Sequence, residues 1–173
     1  LTRFEISLPE RRQFFIENSD LFADFGNNRD SNPFFSRRIG IAKDANGNTI
    51  ENDIIAGIRL SGKVNNNLRV GLLTMQTAED VKNEIPTVNN AIITLQQKLF
   101  NRSNISFMFI NKQATKEYDF LSDEDKYNRI IGIDYRLASE DNSWVGKYFL
   151  HTSLAPNIKN KNYSGGFSTQ YFN

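Results

Sequence analysis

Seven stretches of about ten residues alternate apolar and polar side chains, and the connections between them run short and long in turn. Side chains along a strand point to opposite faces with a period of two, so each stretch makes one apolar wall and one mostly polar wall. The stretches are 54–63, 68–77, 90–99, 104–111, 127–137, 144–154 and 163–172. In the first, Ile54, Ala56, Ile58 and Leu60 oppose Gly57, Arg59, Ser61 and Lys63. In the fifth, Ile131, Ile133, Tyr135 and Leu137 oppose Asn128, Gly132, Asp134 and Arg136. The fourth is less regular: Ile105, Phe107 and Phe109 share a face, while Met108 and Ile110 join Ser106 on the other.

The connections select among all-β architectures. Segments 64–67, 100–103 and 138–143 are short and rich in the Asn, Ser and Asp of tight turns, whereas 78–89, 112–126 and 155–162 are longer. Outer-membrane barrels have this asymmetry, with short periplasmic turns and long extracellular loops. A ten-residue strand is roughly 33 Å long, and a tilt of about 40° brings that to roughly 25 Å, the height of the lipid-facing band. A soluble sandwich or lipocalin-like barrel also alternates, with its apolar face inward. The loop rhythm favours the membrane form, as do aromatics near strand ends: Trp144 beside a short turn, Tyr127 and Tyr163 just after long loops. The fold predicted is an antiparallel up-and-down transmembrane β-barrel, partial, with about seven to eight strands present. Its surroundings would be outer-membrane lipid.

Composition narrows the function classes. The length of 173 residues suits one domain, and no run of 18 apolar residues offers a membrane-spanning helix. Barrels escape such a test because only half of each strand is apolar. Without cysteine there is no disulfide framework, Cys-based zinc site or thiol nucleophile. A net charge of +1 argues against a nucleic-acid partner held by phosphate attraction. The chain starts at Leu1 and stops at Asn173, just after a strand, and an odd strand number does not close a bacterial barrel. An internal piece of a longer protein is therefore expected, with residues 1–53 a strand end plus a long structured loop and 54–173 part of a barrel that continues beyond the chain.

Residues 1–53 have a different texture. Leu1 to Leu8 alternates weakly, as the end of a strand would. Two aperiodic blocks rich in Phe and Arg follow, 9–22 and 33–40. A long structured loop in a compact domain is functional or folds into the body. Strand parity puts this one on the long-loop side, so Arg11, Arg12, Phe14, Phe15, Phe34, Phe35, Arg37 and Arg38 are expected at a barrel mouth or plug, aromatics packed and arginines paired with carboxylates. Asn46-Gly47 predicts the turn of a small hairpin within 44–53.

Three blocks carry a family resemblance. The first runs from Arg3-Phe4-Glu5 through Glu10-Arg11-Arg12-Gln13-Phe14-Phe15-Ile16-Glu17-Asn18-Ser19-Asp20-Leu21-Phe22. The second is Pro33-Phe34-Phe35-Ser36-Arg37-Arg38-Ile39-Gly40. The third is Ile54-Ile55-Ala56-Gly57-Ile58-Arg59-Leu60-Ser61-Gly62-Lys63, with Arg69-Val70-Gly71-Leu72-Leu73 after it. In this order they resemble a family of uncharacterised bacterial outer-membrane proteins. In those proteins a module similar to family 9 carbohydrate-binding modules precedes a large C-terminal domain of unknown function. Beyond Thr87 the likeness is mainly one of pattern. The resemblance implies a β-barrel in the outer membrane of Gram-negative bacteria. The carbohydrate-binding part is not in this chain, so sugar binding transfers to no residue here.

Catalytic and metal motifs are sparse. The single histidine, His151, lies on a polar wall, with Asp134 on the neighbouring strand as a possible triad partner; Ser164 precedes Gly165-Gly166, but no Gly-x-Ser-x-Gly elbow exists. Asp24-Phe25-Gly26 spells a kinase tripeptide without the other kinase motifs. Asp44-Ala45-Asn46-Gly47-Asn48 misplaces the glycine of an EF-hand loop and lacks its final glutamate. Asp119, Asp123, Glu124 and Asp125 read as a solvated acidic loop. No enzyme activity, cofactor or metal is expected.

The polar wall carries the remaining signal. Arg59, Lys63, Arg69, Lys98, Arg136, Lys147 and His151 fall on it, with Asp134 its clearest acid. As a lumen lining, such a wall favours anionic solutes. Leu73, Met75, Met108, Ile130 and Phe149 share that wall, which suggests packing against something rather than an open pore, with the bases paired to acids from a plug or from missing strands. Passage or uptake of a solute, saccharide-related by family context, is the first functional expectation. The alternatives are a non-transporting scaffold barrel that binds partner proteins in an envelope complex, and a membrane-associated glycan hydrolase, for which no pair of catalytic carboxylates is evident.

Overall fold

The computed structural model describes residues 14, 17–27, 31–34, 36–156, 160 and 162–172, with the Arg37 side chain outside that description. Arg11, Arg12, Phe15 and Phe35 also lie outside the described residues. A hairpin of β1 (Ile41–Lys43) and β2 (Thr49–Glu51) precedes a sheet of β3 (Ile54–Lys63), β4 (Leu68–Thr77), β5 (Val88–Leu99), β6 (Ser103–Ala114), β7 (Tyr127–Ala138), β8 (Trp144–Leu154) and β9 (Tyr163–Tyr171). Every strand of this seven-stranded sheet pairs antiparallel with its neighbour in sequence. The all-β antiparallel order that the alternation predicts is therefore present. Among the described residues β3 and β9 remain edges, and the sheet does not close on itself.

Local chemistry explains the turns. Asp44 accepts hydrogen bonds from the backbone N–H groups of Asn46 and Asn48, and Gly47 takes φ +81°, so the 44–48 loop is a side-chain-capped hairpin turn. In the β7–β8 turn, Asp141 accepts hydrogen bonds from the Ser139 hydroxyl and from both the N–H and hydroxyl of Ser143, which lower its pKa to about 2.

The two walls of the sheet differ sharply. Along β4, Gly71, Leu73, Met75 and Thr77 are buried, whereas Leu72 is 36% exposed against 1% for Leu73. The core joins Leu73, Met75, Ile92 and Met108 of the sheet to Leu21, Phe22 and Phe25 of the N-terminal segment, plus Ile39. The mostly polar wall is thus the packed one. On the opposite wall Ile58, Leu60, Ile93, Leu95, Phe107, Ile133, Leu150 and Phe167 are 37 to 82% exposed.

Two details depart from the simple alternation. A register shift between Ile54 and Ala56 inserts an extra residue, so Ile54 packs against the core while Ile55 is exposed. Ile54 therefore does not share the face of Ala56, Ile58 and Leu60. Strands β5 and β6 also run longer than the alternation marks, with Val88 and Asn89 opposite Ala114 and Gln113. Their ends are polar and make a hydrogen-bonded belt on the exposed wall. Asn89 donates to Thr74, Gln76 donates to Thr87, and Arg129 donates to Asn111. The apolar run stops at this belt. It covers Ile105 to Phe109 on β6 and Ile131 to Leu137 on β7, roughly 14 to 20 Å along the strands, not the roughly 25 Å band expected of full ten-residue strands. Toward the short turns the same wall carries Tyr135, Tyr148 and Phe167 in cross-strand sequence, with ring centroids 6.0 and 6.5 Å apart, and Trp144 lies 5.0 Å from Tyr171.

Candidate functional site

The covered wall gathers the buried polar chemistry of the molecule. Residues 17–27, with the short helix Asp20–Ala23 at their centre, cross it from β3 to β8. Two glycines shape the seat. A Cβ on Gly71 would stand 2.7 Å from the Phe22 ring, and one on Gly132 would stand 2.7 Å from the His151 ring. Only a bare backbone admits those rings at that depth.

Acids on the segment meet bases on the wall. Arg69 makes a bidentate pair with Asp20 at 2.7 and 3.2 Å and also donates to Gln96. Asp24 receives Arg136 on one carboxylate oxygen and Lys147, at 3.1 Å, on the other; Lys147 also donates to the Asp24 carbonyl. Arg59 donates to the Phe14 carbonyl, and its guanidinium stacks 4.9 Å above the Phe22 ring. Asn18 donates to Ser61 at 3.1 Å.

Beyond Asp24 the contacts reach a buried carboxylate and imidazole. The Gly26 N–H donates to Asp134 Oδ2 at 2.7 Å, and Lys147 Nζ stands 3.8 Å from the same oxygen. Asp134 Oδ1 lies 2.7 Å from His151 Nε2, and His151 Nδ1 lies 3.3 Å from Ser31 Oγ. Asp134 and His151 are each 4% exposed. A carboxylate only accepts hydrogen bonds, so His151 donates to Asp134 from Nε2, and in the tautomer with its one proton there Nδ1 accepts from the Ser31 hydroxyl. Ser31 is held by an isolated bridge: the Asn27 N–H donates to its carbonyl at 2.8 Å, and its own N–H donates to the Asn27 side chain. A pocket of about 320 Å³ opens beside Ser31 and His151, lined also by Asn32, Ser153, Asn162 and Ser164.

Of the eight wall residues singled out by sequence, Arg59, Arg69, Asp134, Arg136, Lys147 and His151 touch the N-terminal segment. Lys63 and Lys98 lie exposed near the short turns, without an ion pair among the described residues. Of the N-terminal residues, Phe34 packs against the core, Phe14 contributes its carbonyl, and Arg38 is exposed on the 3₁₀ turn Ser36–Arg38. The pairing expected between segment arginines and carboxylates runs the other way at Asp20 and Asp24, where the segment supplies the acids. Sequence reading passes over Ser31. It sits in an aperiodic stretch 120 residues from His151, and the serine that draws notice, Ser164, faces His151 across β8 and β9 in register.

The long loops hold a separate polar cluster. Glu79 accepts from Lys116 at 2.8 Å and from the Tyr118 hydroxyl, while Tyr118 in turn accepts from the Thr87 N–H. Those two donors hold the Glu79 carboxyl below the usual carboxylate range, Lys116 first, and Glu79 raises Lys116. In the acidic loop Asp123 pairs with Lys126 at 2.7 Å. No group of three or more metal-ligating side chains is present among the described residues.

These features define an all-β meander sheet whose polar wall is packed beneath its own N-terminal segment. The chain belongs to the family described as Domain of unknown function (DUF5916), whose model matches residues 1–172. No curated protein and no solved structure matches it.

Proposed function

We propose that the chain is part of the wall of an outer-membrane β-barrel, with residues 17–27 lying in the lumen as a built-in plug. One observation carries this reading: the apolar wall is bare and the polar wall is packed. A water-soluble sheet does the reverse, because exposed apolar patches of this extent associate. Lipid accepts such a wall, and the polar belt at one end and the Trp144–Tyr171 pair at the other flank the apolar run as interfacial groups do.

Passage of an anionic solute is the activity this arrangement favours. Arg69 is paired with Asp20, and Arg136 and Lys147 share Asp24, so shifting the segment would bare a basic lumen. The same cover supports a second reading, a permanently filled scaffold barrel that binds partners in the envelope.

Fractionation of the full-length protein tests the membrane reading. Outer-membrane recovery, a need for detergent and faster gel migration before heating are the expected result; a detergent-independent soluble protein overturns it. Planar-bilayer recordings of the wild type and of the Asp20→Ala/Asp24→Ala double variant then separate the two activities. A quiet wild type with a conducting, anion-selective variant supports passage, and silence from both supports the scaffold.

A further inference from the structure

We propose that Ser31, His151 and Asp134 form a nucleophilic relay that takes carboxylic esters, with Ser31 as the attacking residue. This inference does not rest on the membrane reading, because the three side chains and the pocket stand together whether or not the outer wall meets lipid. Nucleophile, base and orienting carboxylate lie in hydrogen-bonded series, Ser31 Oγ to His151 Nδ1 at 3.3 Å and His151 Nε2 to Asp134 at 2.7 Å. The ring nitrogens are used in the opposite sense to the usual serine-protease arrangement, but the logic is unchanged: the carboxylate fixes the tautomer that leaves a lone pair facing the hydroxyl. Before catalysis such a hydroxyl–imidazole contact is commonly long and tightens when substrate binds.

The surroundings look assembled for this relay rather than for filling space. Asp134 is held by a second anchor, the Gly26 N–H, and Gly26 takes φ +68° so that the chain can turn back toward Ser31. Gly132 leaves room for the ring. Unlike its two partners, Ser31 is half-buried, and it lines the pocket of about 320 Å³ together with His151. That volume has room for a short acyl group, and the polar residues Asn32 and Asn162 border it.

The chemistry balances without another reactant than water. Ser31 Oγ bonds to the ester carbonyl carbon and its proton passes to His151 Nδ1. The bond from that carbon to the alkoxy oxygen breaks, and the leaving alcohol takes the proton back from His151. Water, deprotonated by His151, then attacks the acyl-serine, releasing the carboxylic acid and restoring the Ser31 hydroxyl.

The test is covalent capture of the full-length protein in detergent by a short-chain alkyl fluorophosphonate. Serine oxygen bonds to phosphorus, fluoride leaves, and intact mass with peptide mapping locates the adduct. One adduct on Ser31 is expected, absent in Ser31→Ala, with a variant of an exposed serine outside the pocket, Ser168→Ala, labelled at the wild-type rate. His151→Gln is expected to slow labelling by about 10³-fold or more. Asp134→Asn should slow it too, and Asp134→Glu should restore part of the rate, which a purely structural role would not give. Ser31→Ala gives up one long hydrogen bond, so its melting temperature should match the wild type and a loss of labelling cannot be charged to unfolding. No adduct on the wild type, an adduct on a different serine, or wild-type labelling of His151→Gln overturns the proposal.

Discussion

The two walls of the seven-stranded sheet come from the same strands, yet they solve opposite problems. Leu72 and Leu73 are adjacent, identical in chemistry and a peptide apart, and one is open while the other is sealed beneath Phe22 and its neighbours. The sealed wall owes its burial to a covering segment, not to greater hydrophobicity, since Arg59, Arg69, Asp134, Lys147 and His151 share it with Leu73 and Met108. What distinguishes the walls is the partner each has: a piece of the same chain on one side, and on the other nothing within the described residues. Polarity alone does not tell which wall of an alternating strand is interior; the supply of matching acids at Asp20 and Asp24 does.

That contrast can be broken at its base by paired substitutions. Leu73→Ala opens a cavity under the segment and is expected to cost about 2–5 kcal/mol, whereas Leu72→Ala leaves no void and should cost several-fold less; denaturant midpoints measure both, and equal losses would erase the distinction. Next in size is Leu150→Arg on the open wall. In lipid it should cost about 2–4 kcal/mol near the bilayer midplane, read as a lower folded fraction on refolding into vesicles, while a wall that meets water would register within about 0.5 kcal/mol.

Smaller effects sharpen the picture of the cover. Asp24→Asn weakens its ties to Arg136 and Lys147, partly exposed pairs worth about 0.2–1 kcal/mol each, and limited proteolysis within 17–27 should accelerate by a few-fold. The loop tie gives the smallest and most condition-dependent effect. Glu79 has its folded-state pKa depressed, so its stabilisation is present above the ordinary glutamate pKa and is lost as pH falls through the lower folded value. Lys116 is raised, so its share is present below the ordinary lysine pKa and fades as pH rises through the higher folded value. The tie therefore spans neutral pH, and exchange of the Thr87 and Thr115 amides, corrected for intrinsic rates, should quicken at pH 3 relative to pH 6, with the difference gone in Glu79→Gln.

The sheet was legible because a period of two persists wherever one wall must pack and the other must not. Strands β3, β4 and β8 have the bounds that alternation assigns, and Asn46-Gly47 marks the hairpin it suggests. Alternation fails where something other than pattern decides. The extra residue at Ile55 turns Ile54 inward, and a bulge leaves no mark in composition. The belt of Thr74, Asn89, Asn111 and Arg129 extends strands through polar pairing, where apolar periodicity has nothing to count. For the site, His151 and Asp134 could be brought together on paper because β7 and β8 are neighbours, one pairing step away. Ser31 could not, since a segment without period offers no register against the sheet.

The cover sits early in the chain, but its partners come late: Asp24 and Lys147 are 123 residues apart, Ser31 and His151 120. Hairpins from β3 to β9 close through loops of a few residues to about a dozen, so they can zip one after another. Asn18, Asp20 and Phe22 meet partners on β3 and β4, but Asp24, Gly26 and Ser31 have theirs on β7 and β8. The far end of the cover can therefore close over the basic wall only once β7 and β8 are in place, however early its near end docks.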